Sequence, residues 1–221
     1  MADSNLDTGY AVSARGLVKS FGNFTVLKGH DLNVEKGGFF TLFGPNGSGK
    51  TTFLRILSTL GNPDSGELSI NGLDALGKKS AVRASIGVVW HEPSVYDNLS
   101  AFENLVFFGK MYGVLDLKDR ASSLLGQLGL GIRQHDLVRT YSRGMKQRLA
   151  VARAIVHDPP VLLLDEPYTG LDANGSRIFG EMLRALYSRG RTIIMTTHNM
   201  DEGLELSKRA GILSGNSTCL S

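Results

Sequence analysis

One cysteine, Cys219, stands among 221 residues, so no internal disulfide can form and a reducing compartment is expected. No apolar run approaches the roughly 20 residues that a helix needs to cross a bilayer. Any role at a membrane must therefore come through a partner. Neither sign of charge dominates: 24 Lys and Arg face 21 Asp and Glu, for a net +3. That is not the concentrated basic stripe of a nucleic-acid binder, so no nucleic-acid partner is expected. The opening MADSNLDTGY lacks the basic-then-apolar order of a signal peptide. Internal repeats, low-complexity tracts and coiled-coil heptads are absent too.

Glycine, by contrast, is plentiful at 27 residues. Several stand in GPNGSGKTT, residues 44–52, which fits the phosphate-binding pattern G-x-x-x-x-G-K-[ST]. Glycines let the backbone turn tightly, so that successive N–H groups point inward at phosphate oxygens. Gly44, Pro45, Asn46, Gly47, Ser48, Gly49, Lys50, Thr51 and Thr52 form the expected nucleotide-binding loop. Lys50 would reach the terminal phosphates, and the Thr51 hydroxyl would ligate Mg2+. An apolar run, GFFTLF, precedes the loop. A helix follows it, with its positive end toward the anion.

Along the chain, Ala11–Leu17 and Thr25–Val34 read as antiparallel strands, broken by the turns SFGN and KGHD. Phe40–Phe43 reads as a buried strand, and Lys50 to about Leu60 as a helix. After the turn NPDSG comes the strand ELSING, then a short helix at Lys78–Ala84 and a strand at Ile86–Trp90. From Asn98 to Leu130 the period is helical, with Ser100 and Glu103 at capping-box spacing. Ser142 caps a helix over SRGMKQRLAVARAIVH. Val161–Leu164 is an apolar strand. A helix over Ala173–Ser188, the strand TIIMTT, a short helix from Met200 and a last strand, AGIL, complete the pattern. Strands alternating with helices predict an α/β fold with a mainly parallel sheet. The chain reads as one domain, 1–221, whose core (1–91 and 142–221) carries an inserted helical subdomain at about 92–141.

VLLLDE, residues 161–166, would deliver Asp165 and Glu166 at the carboxyl end of a buried strand, where parallel sheets place ligands. Asp165 could hold Mg2+. Glu166 could accept a proton from the attacking water, or orient it. Together with TYSRGMKQRLAVARA (140–154), GLD (170–172) and TTH (196–198), these motifs resemble the ATP-binding subunits of ABC transporters over nearly the whole chain. The resemblance implies a P-loop NTPase (RecA-like) core with an antiparallel β subdomain. It also implies Mg2+-dependent ATP hydrolysis in a head-to-tail homodimer. Each ATP would lie between one phosphate loop and the other copy's signature helix. The signature usually reads LSGGQ. Here Ser142 and Gly144 match, while Tyr141, Arg143 and Met145 depart. Phe21 matches an adenine-stacking aromatic, Asp172 a carboxylate at the dimer interface, and His198 a histidine at the γ-phosphate. His91 stands where the family carries a Gln near the water and Mg2+.

His91, YDNLSAFENLVFFGKMYG, YSRGMKQRLA and DEPYTGLD resemble in particular the heme-exporter ATPases of cytochrome c maturation. That implies an integral membrane transporter subunit as partner and a site on the inner face of the plasma membrane. The surface near Trp90–Leu105, with Phe102, Phe107, Phe108 and Tyr112, would receive a short helix of that partner. No C-x-x-C-H motif is present and no direct heme binding is expected. Two alternatives stand beside this reading. One is a motor for another cargo, such as a drug, polysaccharide or lipid. The other is a soluble single-copy assembly ATPase. The family continues past the last strand, whereas this chain ends in SGNSTCLS.

Overall fold

The computed structural model describes residues 9–200, 203, 207, 209–214 and 217–220. Its first half runs β1 (Tyr10–Phe21), β2 (Phe24–Glu35), β3 (Phe39–Phe43), α1 (Lys50–Leu57), β4 (Ser65–Ile70), β5 (Leu73–Asp74), α2 (Lys79–Ala84) and β6 (Ile86–Val89). The second half runs α3 (Ala101–Met111), α4 (Leu117–Gln127), α5 (Arg143–Ile155), β7 (Val161–Asp165), α6 (Ala173–Ser188), β8 (Thr192–Thr197), β9 (Arg209–Ser214) and β10 (Ser217–Leu220), with short 3-10 turns between α4 and α5.

Two sheets result. The larger has the order β10-β9-β3-β8-β7-β6. Its β6, β7, β8, β3 and β9 are parallel, and β10 pairs antiparallel with β9. The smaller sheet, β2-β1-β4-β5, is antiparallel. β3, β7 and β8 are buried at every residue, as strands covered on both faces must be. One apolar core packs α3–α6 onto the parallel sheet through residues such as Leu105, Leu125, Leu149, Leu164 and Phe179. A second joins α1 and the antiparallel sheet to its other side, through Leu17, Leu32, Leu54 and Leu163 among others.

Three sequence expectations are corrected here. KGHD is not a turn. β2 runs through it, and the shifted register beside Leu17 and His30 together with Gly29 in the left-handed region (φ +85°) absorbs the irregularity as a bulge. α1 stops at Leu57, because Leu60 and Gly61 both return their N–H groups to the Arg55 carbonyl. AGIL is not the last strand, since β10 folds back on β9. The expected short helix after Met200 falls mostly outside the described residues.

The capping box at α3 forms as predicted. The Glu103 amide donates to Ser100 Oγ at 3.1 Å, and Ser100 returns its own amide to Glu103 Oε2 at 2.7 Å. That backbone bond, then the Ser100 hydroxyl, holds the Glu103 carboxyl below its ordinary pKa. A depressed carboxylate pKa means stability that is present above the unfolded value and lost as pH falls through the folded one. The urea midpoint of Glu103→Ala should therefore lie below the wild type's at pH 7, and the gap should close as the pH drops below the ordinary glutamate range. A gap that stays constant down to pH 3 would contradict this.

Gly87 lets α5 approach β6. A Cβ there would collide with the Ala154 carbonyl oxygen and lie 2.8 Å from Leu162 Cδ2. Gly87→Ala should cost about 1–3 kcal/mol, the usual range for overpacking. Denaturant unfolding measures it.

Candidate functional site

Four parallel strands end on one side of the larger sheet, and each delivers a site segment there. β3 leads into the phosphate loop, β6 into His91, β7 into Glu166 and β8 into His198. A cavity of about 820 Å³ opens at these ends. Phe21, Asn46, Gly47, Gly49, Lys50, Thr51, Thr52, His91, Asp165, Glu166 and His198 all line it. So do Val26, Arg55, Trp90, Glu92 and Thr169, to which the sequence assigned no part in nucleotide binding.

The loop is shaped by glycines that nothing else could replace. Gly49 sits at φ +103°, and a Cβ on it would lie 2.7 Å from a Val26 methyl. A Cβ on Gly44 would lie 2.6 Å from both Ser48 Oγ and the Leu213 carbonyl. Lys50 opens α1 and is 6% exposed. Its ammonium donates to the carbonyls of Gly44 at 2.6 Å and Pro45 at 3.2 Å. It also faces Glu166 Oε1 at 3.2 Å, close enough for an ion pair but not aligned as a hydrogen bond. Ser48 Oγ is buried with no hydrogen-bond partner among the described residues. A hydroxyl turned inward and unsatisfied fits a loop that cradles phosphate.

Asp165 is buried at the end of β7. Its two oxygens accept from Thr51 Oγ1 at 2.9 Å and Thr196 Oγ1 at 2.7 Å. One hydroxyl and one carboxylate, brought together across 114 residues of chain, are a hard oxygen pair of the kind Mg2+ takes beside phosphates. Among the described residues no group of three or more His, Cys, Asp or Glu converges on a metal. Magnesium bound mainly by nucleotide and water needs none. His91 is exposed and lines the same cavity.

Glu166 holds a left-handed backbone at φ +47°. Its amide is gripped by the Thr196 carbonyl at 3.1 Å and the Thr196 hydroxyl at 3.2 Å. Its Oε2 lies 2.8 Å from His198 Nδ1 and 3.3 Å from the His198 amide. One carboxylate thus stands between a lysine and a histidine. Phe21 closes the β1–β2 hairpin and is 58% exposed at the cavity, so it is not a core residue.

Ser142, Gly144 and Asp172 lie outside this cavity. Ser142 Oγ caps α5 by accepting from the Met145 amide at 3.3 Å, and Asp172 caps α6 by accepting from Gly175 at 2.7 Å. Both side chains sit at exposed helix starts.

A phosphate loop at the end of one parallel strand, with a carboxylate pair at the end of another, defines a P-loop nucleotide-binding domain. The chain belongs to the ABC transporter family, whose model matches residues 27–169. It is 38% identical over 205 residues to the linearmycin resistance ATP-binding protein LnrL of Bacillus subtilis, covering 91% of this chain and 66% of that protein. It is also 38% identical to the daunorubicin/doxorubicin resistance ATP-binding protein DrrA of Streptomyces peucetius (92% and 62%). The same identity holds to a Nod factor export ATP-binding protein I of Rhizobium (92% and 67%). The chain thus spans about two thirds of the length of these relatives. Its fold matches a dimeric, post-hydrolysis ATP-binding cassette bound to ADP and phosphate, with a TM-score of 0.85 at 26% identity over 93% of this chain and 95% of that one.

Thr196, part of the TTH motif, is a site residue to which the sequence assigned no role of its own. It was read as part of a strand, yet its hydroxyl orients Asp165 and its backbone grips Glu166. Thr196→Val keeps the shape and removes the hydroxyl. A hydrogen bond to a charged group is worth roughly 1.5–3 kcal/mol, so the Mg2+ concentration for half-maximal ATP hydrolysis should rise about tenfold or more. A magnesium titration of the ATPase rate measures this.

Proposed function

We propose that the chain is the ATP-binding and ATP-hydrolysing subunit of an ABC exporter. It works as a homodimer with ATP at the interface, held on the inner face of the plasma membrane by a separate integral membrane subunit. One observation carries the hydrolytic reading: Glu166 sits between Lys50 and His198, beside the Thr51–Asp165 pair, in a single cavity. The loop amides and Lys50 bind the phosphates, and Phe21 stacks on the adenine. Mg2+, held through Thr51 and Asp165 with His91 nearby, would neutralise phosphate charge. Glu166 takes the proton of the attacking water, and His198, oriented by Glu166 Oε2, contacts the γ-phosphate. Ser142, Gly144 and Asp172 would complete the site on the other copy, in keeping with their exposed places outside the cavity.

For the cargo, the names of the relatives favour a drug, an antibiotic or a Nod-factor-like compound over heme. Linearmycin, daunorubicin, doxorubicin and Nod factor are what those names mention. The heme-exporter assignment finds no support in them. Residues 92–141 serve in this reading as the helical subdomain that meets the membrane partner. Tyr96, Phe107 and Tyr112 are each about half exposed there, and Tyr96 packs against both Phe107 and Phe108. No helix among the described residues is long and apolar enough to cross a membrane.

Glu166→Gln should keep ATP binding and lower turnover by at least about 100-fold, the lower end for loss of a general base. With ATP and Mg2+ it should also run as a dimer by light scattering. A strictly monomeric mutant with ATP bound would refute the homodimer. A pull-down from detergent-solubilised membranes tests the partner, and recovery of soluble proteins alone would favour the assembly-factor alternative.

A further inference from the structure

The third signature position carries Arg143 where the related pattern has glycine, and the proposed function gives this side chain no task. Arg143 is the first residue of α5. It does not line the nucleotide cavity. Its Nε donates to the Thr169 carbonyl at 3.0 Å, across 26 residues of chain. Its guanidinium lies against Gly170, which has φ +76°, and a Cβ on Gly170 would collide with it. Only glycine leaves that place open, both for the backbone angle and for the side chain above it.

Thr169 ends the turn that begins at Glu166. Its amide donates to the Glu166 carbonyl at 3.2 Å, and it lines the cavity. Glu166 holds a left-handed conformation that costs a non-glycine residue of order 1–3 kcal/mol and persists only where the surroundings over-determine it. The surroundings are the Thr196 grip on one side and the 166–169 turn on the other. Arg143 braces the far end of that turn from a different helix. Leu171, whose amide donates to the Tyr168 carbonyl at 3.1 Å, packs beside Gly144 and continues the contact.

We infer that Arg143 is a positioning residue for hydrolysis. It latches the start of α5 to the loop after β7, so that the exposed signature end and the backbone carrying Glu166 move together. The guanidinium is needed for its planar Nε donor, which a lysine ammonium lacks. The inference rests on the ATPase reading above.

The test compares the full-length wild type with Arg143→Ala and Arg143→Lys in steady-state ATPase assays, together with hydrogen exchange of residues 164–172. Loss of one such bond is expected to lower kcat by about three- to tenfold in both variants. KM for ATP should stay within about twofold, because the Arg143 guanidinium is engaged by the Thr169 carbonyl and Gly170 of its own chain rather than held free for a nucleotide. Millimolar methylguanidinium should restore part of kcat to Arg143→Ala. The Thr169 and Leu171 amides should exchange faster in both variants, while those of α1 are unchanged. Wild-type kcat and exchange in Arg143→Ala would overturn the latch, and so would a raised KM at unchanged kcat. A wild type with no ATPase activity would instead refute the functional reading, and the exchange comparison would still decide the latch.

Discussion

The burial of the Lys50 ammonium is the constraint on which the rest of the site depends. A charge that is 6% exposed must be paired and hydrogen-bonded or it destabilises the fold by several kcal/mol. Its partners are two carbonyls of its own loop and the Glu166 carboxylate from a different strand. The loop must therefore turn back over the start of α1, which Gly44 and Gly49 permit. β7 must end level with β3, which the parallel pairing of β3 with β8 and of β8 with β7 enforces. The same alignment brings Thr196 to Asp165 and His198 to Glu166. A nucleotide's terminal phosphates would compete for the ammonium that the loop and Glu166 now share.

Around this centre, residues that depart from the related pattern are held by contacts of their own. Tyr141, in place of leucine, is buried and donates its hydroxyl to the Arg133 carbonyl at 2.6 Å, with the Arg133 guanidinium 5.4 Å from its ring. Buried tyrosine needs such a partner for its hydroxyl. Farther along α5, Arg153 donates to the carbonyls of Ser94 and Val88 and lies 4.9 Å from the Phe108 ring. The signature helix is thus tied at its start to the loop after β7 and near its end to the segment after β6 and to α3. Trp90, His91 and Glu92, between the tied Val88 and Ser94, contribute to the cavity wall, as do Asp165, Glu166 and the tied Thr169.

The motifs of the site were legible in the sequence because their chemistry is local. GPNGSGKTT specifies a turn, a cation and a helix start in nine consecutive residues, and VLLLDE specifies a buried strand with acids at its end. Period-2 and period-3.6 patterns placed most of the elements, and Ser100 and Ser142 could be read as caps from their neighbours alone, whereas Asp172 and His198 took their expected roles from resemblance. Phe21 was legible only through resemblance, since spacing cannot tell a core phenylalanine from one left 58% exposed at a cavity.

Tertiary structure alone decided what depends on distant partners. KGHD has the composition of a turn, but pairing with β1 supplies backbone hydrogen bonds that outweigh its local preference, so β2 continues through it. Thr196 looks like any threonine in a strand until the register of β7 and β8 sets it opposite Asp165. Arg143 looks like a solvated helix residue until the loop after β7 presents the Thr169 carbonyl and the bare face of Gly170. Backbone conformation and the chemistry of single motifs are set by neighbours along the chain. The partner of a side chain is set by which strands lie side by side, and that is a property of the folded whole.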